Sequence, residues 1–123
     1  MPGSSRYRNL SEAVARAIAA VGERVVHKRP IRTAVDPLTG NPRVEERVIS
    51  TPIASVQPIP NLNYITLPPS LRATTLSNTL HKAYILDTED WRVGDILEHG
   101  ERRFAVKYVS GYPTHWEVIL DYA

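Results

Sequence analysis

The chain has no cysteine among its 123 residues. This absence excludes disulfide bridges, cysteine-ligated zinc and thiol catalysis. The chain also lacks any apolar run near the ~20 residues that a membrane-spanning helix requires. No apolar stretch follows Arg6 and Arg8, so the start of the sequence does not resemble a secretory signal. We therefore expect a protein that is made and used in a cytoplasm and has no membrane partner.

Sequence motifs of catalysis are missing as well. There is no phosphate-binding loop, dinucleotide fingerprint, nucleophile elbow or zinc signature. The histidines are far apart in the sequence, and the paired acids Glu45-Glu46 and Glu89-Asp90 lie near expected turns, as solvated carboxylates do. The sequence therefore predicts a protein that is not an enzyme and needs neither a cofactor nor a metal.

Acidic residues are absent from the middle of the chain. Between Val48 and Leu86 the only Lys, Arg, Asp or Glu side chains are Arg72 and Lys82, although the net charge of the whole chain is +2. Two interpretations of this acid-free segment stay open. Either it is an ordinary solvated surface, or it faces something anionic or further copies of the chain.

One helix is indicated near the start of the chain, over residues 10–22. Ser11 is placed to cap its first turn, and Gly22 to adopt the left-handed conformation after its last. The preceding residues 1–9 are expected to form a flexible segment. Small apolar residues recur at helical spacing along the predicted helix: Val14, Ala17, Ile18 and Val21.

Residues 23–56 predict a long β-hairpin. Its first strand carries the basic residues Arg24, Lys28 and Arg32, and strand alternation puts Lys28 and Arg32 on one face. The segment from Asp36 to Gly40 has the residue types of a tight turn and predicts an exposed tip. The basic strand is a candidate docking surface; the alternative is that its charges only protect an exposed sheet edge.

A long proline-containing loop is predicted over residues 57–82, followed by a β-meander over 83–123. Apolar side chains alternate from Phe104 to Tyr108 and from Trp116 to Tyr122. Trp91 and Trp116 are expected to pack in the core. The sequence thus predicts a single domain over 1–123 that is mainly β: a small antiparallel β-barrel or sandwich with an N-terminal helix and a long internal loop.

Four segments together resemble the stopper proteins of tailed bacteriophages, also called head-completion or head-closure proteins of the head–tail connector. The first hairpin with its tip and the closing strand over 116–122 are two of them. The other two are Ala54-Ser-Val-Gln-Pro-Ile59 and Gly94-Asp-Ile-Leu-Glu-His-Gly-Glu-Arg-Arg-Phe-Ala-Val106. The resemblance covers about residues 23–122 and rests on the order and spacing of the segments.

The resemblance implies a structural subunit that assembles with itself into a ring, a hexamer or a dodecamer, in the neck of the virion after assembly in the host cytoplasm. The implied partners are the portal and adaptor above, a tail terminator or tail tube below, and packaged double-stranded DNA in the channel. A gate loop over about 58–75 is implied, with the candidate residues Pro58, Pro60, Leu62, Tyr64, Ile65, Leu67 and Arg72. A tail terminator, an adaptor, and a free-standing small β-barrel that binds nucleic acid or a peptide are the alternatives.

Overall fold

A computed structural model describes residues 2–59 and 80–123, with side chains from residue 12 onward. This part of the chain is mainly β, as predicted, with one helix and eight antiparallel strands in a single curled sheet. The elements are α1 (Pro2–Val21), β1 (Glu23–Arg24), β2 (Val26–Val35), β3 (Pro42–Ser50), β4 (Ile53–Pro58), β5 (His81–Leu86), β6 (Ile96–His99), β7 (Arg102–Gly111) and β8 (Trp116–Tyr122). The strand order across the sheet is β1-β4-β5-β8-β7-β6-β2-β3.

Helix α1 is longer than predicted. It begins at Pro2, so residues 2–9 of the expected flexible segment are part of the helix, and Ser11 lies inside the helix and not at its start. The helix packs against β4 and β5. Gly22 does not take the predicted left-handed conformation. Glycine is needed at this position because the end of the helix lies close to β4. A Cβ on residue 22 would lie 2.5 Å from the Ile18 carbonyl oxygen and 2.6 Å from Ile53 Cγ2.

The segment predicted as one returning strand of the first hairpin forms two strands. β3 ends at Ser50 and β4 begins at Ile53, and the two are last and second in the strand order of the curled sheet. Pro52 lies at the break, where it has no N–H for a ladder and its carbonyl accepts a hydrogen bond of 2.9 Å from Val25 N. The predicted hairpin over 23–56 is therefore wrong beyond residue 50, and the hairpin is β2 with β3.

The C-terminal strands β6, β7 and β8 form a meander, as predicted. The preceding strand, β5, is not next to β6 in the sheet, because it pairs with β4 and β8. The core lies on the face of the sheet that carries Leu97, Phe104 and Leu120, each with 0% exposure. Trp91 is 3% exposed, which confirms it as a core residue, and Trp116 is half-buried and packs against the same cluster.

Within residues 2–59 and 80–123 no helix is both long enough and apolar enough to cross a membrane.

Candidate functional site: a hairpin arm and its buried root

The β2–β3 hairpin extends beyond the rest of the sheet. β2 pairs with β6 only at Val26, His27 and Lys28. From Arg29 to the tip, the strand pairs within the described chain with β3 alone. Residues 29–48 are called the hairpin arm below. A two-stranded ribbon is marginally stable by itself in water, so the arm depends on contacts at its root, on the ion pair of Glu46 with Arg103 of β7, or on a partner.

The hairpin arm exposes a concentration of apolar side chains. Val35 is 60% exposed, Val44 59% and Val48 54%, and Leu38 at the tip is 93% exposed. These residues are half of the large exposed hydrophobic side chains in the described part of the chain. Single exposed apolar residues are common, but a group of them on one projecting element is typical of an interaction surface.

The tip of the hairpin arm is an ordered turn. The Asp36 carboxylate accepts a hydrogen bond of 2.9 Å from Leu38 N, and the Asp36 carbonyl accepts one of 2.8 Å from Gly40 N. Gly40 has a φ of 72°, which glycine adopts at little cost. The turn residues Asp36 and Gly40 thus lie where the sequence predicted an exposed tip, and the turn holds Leu38 outward.

A buried polar network holds the root of the hairpin arm. Asp95, whose side chain is 2% exposed, accepts hydrogen bonds from Arg29 Nε at 2.9 Å and Arg29 Nη2 at 3.0 Å. It also accepts one from Arg92 N at 2.9 Å, and its Oδ2 lies 2.7 Å from His27 Nε2. Arg29 Nη2 also donates to the Asp90 carbonyl at 2.8 Å. These contacts tie β2, at the base of the arm, to the 87–95 connection.

His27 completes the network between two carboxylates. Its ring, at 0% exposure, stacks on Trp91 with the ring centroids 3.6 Å apart. On the side opposite Asp95, His27 Nδ1 lies 3.6 Å from Asp87 Oδ2. The same Asp87 oxygen accepts hydrogen bonds from Ser50 Oγ at 2.5 Å and Trp91 Nε1 at 3.1 Å. Both strands of the hairpin are therefore anchored in one cluster.

The network keeps Asp95 charged. Burial opposes the carboxylate form of Asp95, but hydrogen bonds from Arg29, His27 and the Arg92 backbone outweigh it and lower the pKa of Asp95 below its ordinary value of 3.8. The hydrogen bond to Asp95 correspondingly raises the pKa of Arg29. An ion pair with hydrogen bonds on both carboxylate oxygens fixes orientation better than a single contact.

Ser50, His27 and Asp95 have the composition of a Ser-His-Asp catalytic triad but not its geometry. The Ser50 hydroxyl is 3.4 Å from His27 Nδ1 and donates instead to Asp87 at 2.5 Å. With His27 at 0% exposure, no substrate reaches its ring in this arrangement. These three residues have the contacts of a packed polar core.

The predicted docking residues have different surroundings in the structure. Arg24 lies on the two-residue strand β1, which pairs with β4, and donates to the Thr51 carbonyl at 2.7 Å. Lys28 forms an ion pair with Glu98 of β6. Arg32 lies on the hairpin arm and is exposed. The three residues do not form one basic strand, because the strand is interrupted at Val25; Arg43 and Arg47 of β3 instead add exposed cations to the arm beside Arg32.

Most of the predicted gate lies outside the described residues. Pro58 is the last residue of β4 and pairs with His81 at the start of β5. The other candidates are outside residues 2–59 and 80–123: Pro60, Leu62, Tyr64, Ile65, Leu67 and Arg72. In the part of the chain that is described, no group of three or more His, Asp or Glu side chains is arranged to hold a metal ion.

Sequence reasoning did not find the network at the root. Asp95 is 68 positions from His27, and nothing in the sequence indicates that they pair. A weak signal was the Gly94-Asp95 turn, because Gly94 has a φ of 93° and a turn there brings the following carboxylate close to neighbouring backbone.

No protein-family model and no curated protein matches the chain. The structure is similar to the solution structure of protein SF1141 from Shigella flexneri 2a, with a TM-score of 0.59 and 17% sequence identity. The match covers 82% of this chain and 91% of that one. At this identity, the comparison shows a shared fold and nothing about function.

Proposed function

We propose that the chain is a structural ring subunit in the neck of a tailed bacteriophage, of the stopper type. In this role it closes the DNA-filled head, retains the genome and provides the surface to which the tail attaches. The ring is a homo-oligomer that binds the portal or adaptor on one side and the tail terminator or tail tube on the other. It is located at the head–tail junction of the virion.

The observation that carries the proposal is the hairpin arm. Residues 29–48 leave the body of the sheet, expose Val35, Leu38 and Val44, and are held at their root by a buried ion pair. In a ring subunit, an anchored ribbon with an exposed apolar tip provides a contact with the neighbouring subunit. The anchored root fixes the direction in which the arm points, and a repeated contact needs a fixed direction.

The sequence resemblance supplies the rest of the proposal. The acid-free segment 48–86 contains the predicted gate, and the absence of carboxylates there suits a channel that holds packed phosphate groups. Arg32 is the predicted docking cation that lies exposed on the arm. Lys28 is paired with Glu98, so Lys28 is a poorer candidate for docking than the sequence indicated.

The test is nuclease protection of DNA-filled, tailless heads from the phage that encodes the chain. Heads carrying their adaptor are incubated with the purified protein, and protected genome and a ring at the portal vertex are measured together. We expect the genome to be protected only when the protein is added. A variant that lacks residues 60–72 is expected to form the ring but not to protect the genome. Protein that binds detached tails and not heads identifies a tail terminator. Salt-sensitive binding of the isolated monomer to short DNA, with no binding to heads, identifies a free-standing nucleic-acid module and refutes the proposal.

A further inference from the structure

A groove lies between helix α1 and the outer face of the sheet. It has a volume of about 350 Å³ and is lined by Val14, Ala17, Ile18, Val21, Ser55, Gln57 and Tyr84. None of these lining side chains carries a charge at neutral pH. Val21 is 69% exposed, so the apolar stripe of the helix is only partly covered by the sheet. The space equals that of roughly a dozen water molecules in the liquid, enough for an aliphatic side chain with its neighbours.

The tip of the hairpin arm is the counterpart of this groove. Leu38 projects at 93% exposure between Pro37 and Thr39, both exposed and uncharged. The Asp36 hydrogen bonds hold this turn in one conformation, so placing Leu38 in a pocket costs little conformational entropy. An ordered apolar side chain on a turn and an uncharged groove of this size fit each other chemically.

The two features are formed by different elements of the fold. The hairpin arm is formed by β2 and β3, the last strands of the strand order, whereas α1 packs on β4 and β5 next to its first strand. A contact between the tip of one copy and the groove of another therefore joins two different surfaces. Contacts of this heterologous kind continue from copy to copy and close into a ring when the rotation permits.

We propose that the hairpin tip of one copy, with Leu38 at its centre, packs into the α1 groove of the next copy. The proposal rests on the proposed ring and identifies how neighbouring subunits meet. A single turn in a single groove buries less surface than the ~1,200 Å² typical of a stable pairwise complex. The pair is accordingly weak in dilute solution, and the closed ring is stable because each subunit makes two such contacts at once.

The absence of cysteine from the chain permits a direct test with introduced thiols. Leu38→Cys in one protein and Ala17→Cys in a second, differently tagged protein place one thiol at the tip and one in the groove. Ala19→Cys is the matched control: Ala19 is exposed on the same helix, and two residues at 3.6 per turn carry it to the opposite face. Disulfide formation requires Cα atoms within about 7 Å, so only the correct contact cross-links efficiently.

The proteins are mixed at high concentration and also on DNA-filled heads, under mild oxidation, and mixed-tag dimers are measured by denaturing electrophoresis. We expect at least tenfold more cross-linking for the Leu38→Cys/Ala17→Cys pair than for the Leu38→Cys/Ala19→Cys pair. One chain carrying both Leu38→Cys and Ala17→Cys is expected to give a ladder of multimers. Circular dichroism of each variant verifies folding.

The outcomes separate this proposal from the proposed function. Rings on heads without preferential cross-linking refute the tip-and-groove contact and leave the neck function standing. A cross-linked ladder from protein that does not bind heads supports the contact and refutes the neck function. Equal, low cross-linking by both pairs in solution and on heads, with no oligomer by sedimentation, refutes both.

Discussion

Replacing Asp95 with asparagine tests whether the buried network holds the hairpin arm. The side chain keeps its size but loses its charge, while Arg29 and His27 keep donors aimed at it. Breaking a buried ion pair by removing one partner costs about 3–5 kcal/mol. The Arg29 side chain is 20% exposed and can partly recover contact with water, so we expect about 3 kcal/mol, the lower end of that range.

Urea unfolding followed by tryptophan fluorescence measures this loss, because Trp91 stacks directly on His27. With a slope of about 1.5 kcal/mol per molar urea, the midpoint falls by roughly 2 M. Asp90→Asn is the control, since that carboxylate is 69% exposed and 3.8 Å from Arg92, and we expect a change of under ~0.5 kcal/mol.

A double-mutant cycle and a local probe make the test specific. If Arg29 and Asp95 act as a pair, Arg29→Met combined with Asp95→Asn costs at least ~1 kcal/mol less than the sum of the single changes. Arg32, Arg43 and Arg47 are trypsin sites on the hairpin arm, so loosening its root is expected to speed cleavage there before global unfolding. An Asp95→Asn protein that loses under ~1 kcal/mol and is cleaved at the wild-type rate refutes the anchoring role.

The remaining predictions concern pH, packing and docking. Because the pKa of Asp95 is lower in the folded chain than its ordinary value of 3.8, the unfolded chain takes up a proton first as the pH falls. The wild type therefore loses stability as the pH drops below about 4 and through the folded pKa. The Asp95→Asn protein is expected to lose less stability over this range. Urea midpoints measured from about pH 6 to pH 2 check both expectations. Gly22→Ala is expected to destabilise the protein by about 1–3 kcal/mol in thermal unfolding, because the new methyl group meets the Ile18 carbonyl oxygen at 2.5 Å; an unchanged melting temperature contradicts this. Arg32→Glu is expected to weaken binding to heads without changing the circular dichroism, whereas Arg92→Glu, outside the arm, leaves binding intact; equal effects of the two changes argue against docking through the arm.

The fold class could be predicted from the sequence because it depends on local patterns. Alternation from Trp116 to Tyr122 and the turn residues from Asp36 to Gly40 act over a few positions, and both predictions are confirmed. The partners of each strand could not be predicted in the same way. The sequence predicted one strand through Pro52, but Pro52 lies where the chain passes from β3, last in the strand order, to β4, second in that order. That difference is set by long-range pairing, which no local pattern encodes.

The candidate site was predicted only in part for a related reason. The sequence identified cations on the first hairpin, and the structure places Lys28 and Arg29 on β2. The sequence did not show that both meet a carboxylate, because Glu98 and Asp95 come from a segment about 66–70 positions later, a separation beyond the reach of helical or turn spacing. The number of basic residues along the strand is therefore larger than the number of unpaired cations available for docking. Whether a basic residue is paired depends on which carboxylate the fold places beside it.

Along the hairpin, the charged groups at the root are paired and the apolar groups toward the tip are exposed, and this difference bears on the proposed function. At the root, charged groups are buried and paired, as Arg29 with Asp95, which fixes direction at the cost of desolvation. Toward the tip, Leu38 and Val44 are exposed with no core beneath them. This distribution is the one we expect if the proposed ring is correct, with the hairpin positioned by its own chain and its tip covered by a neighbouring copy.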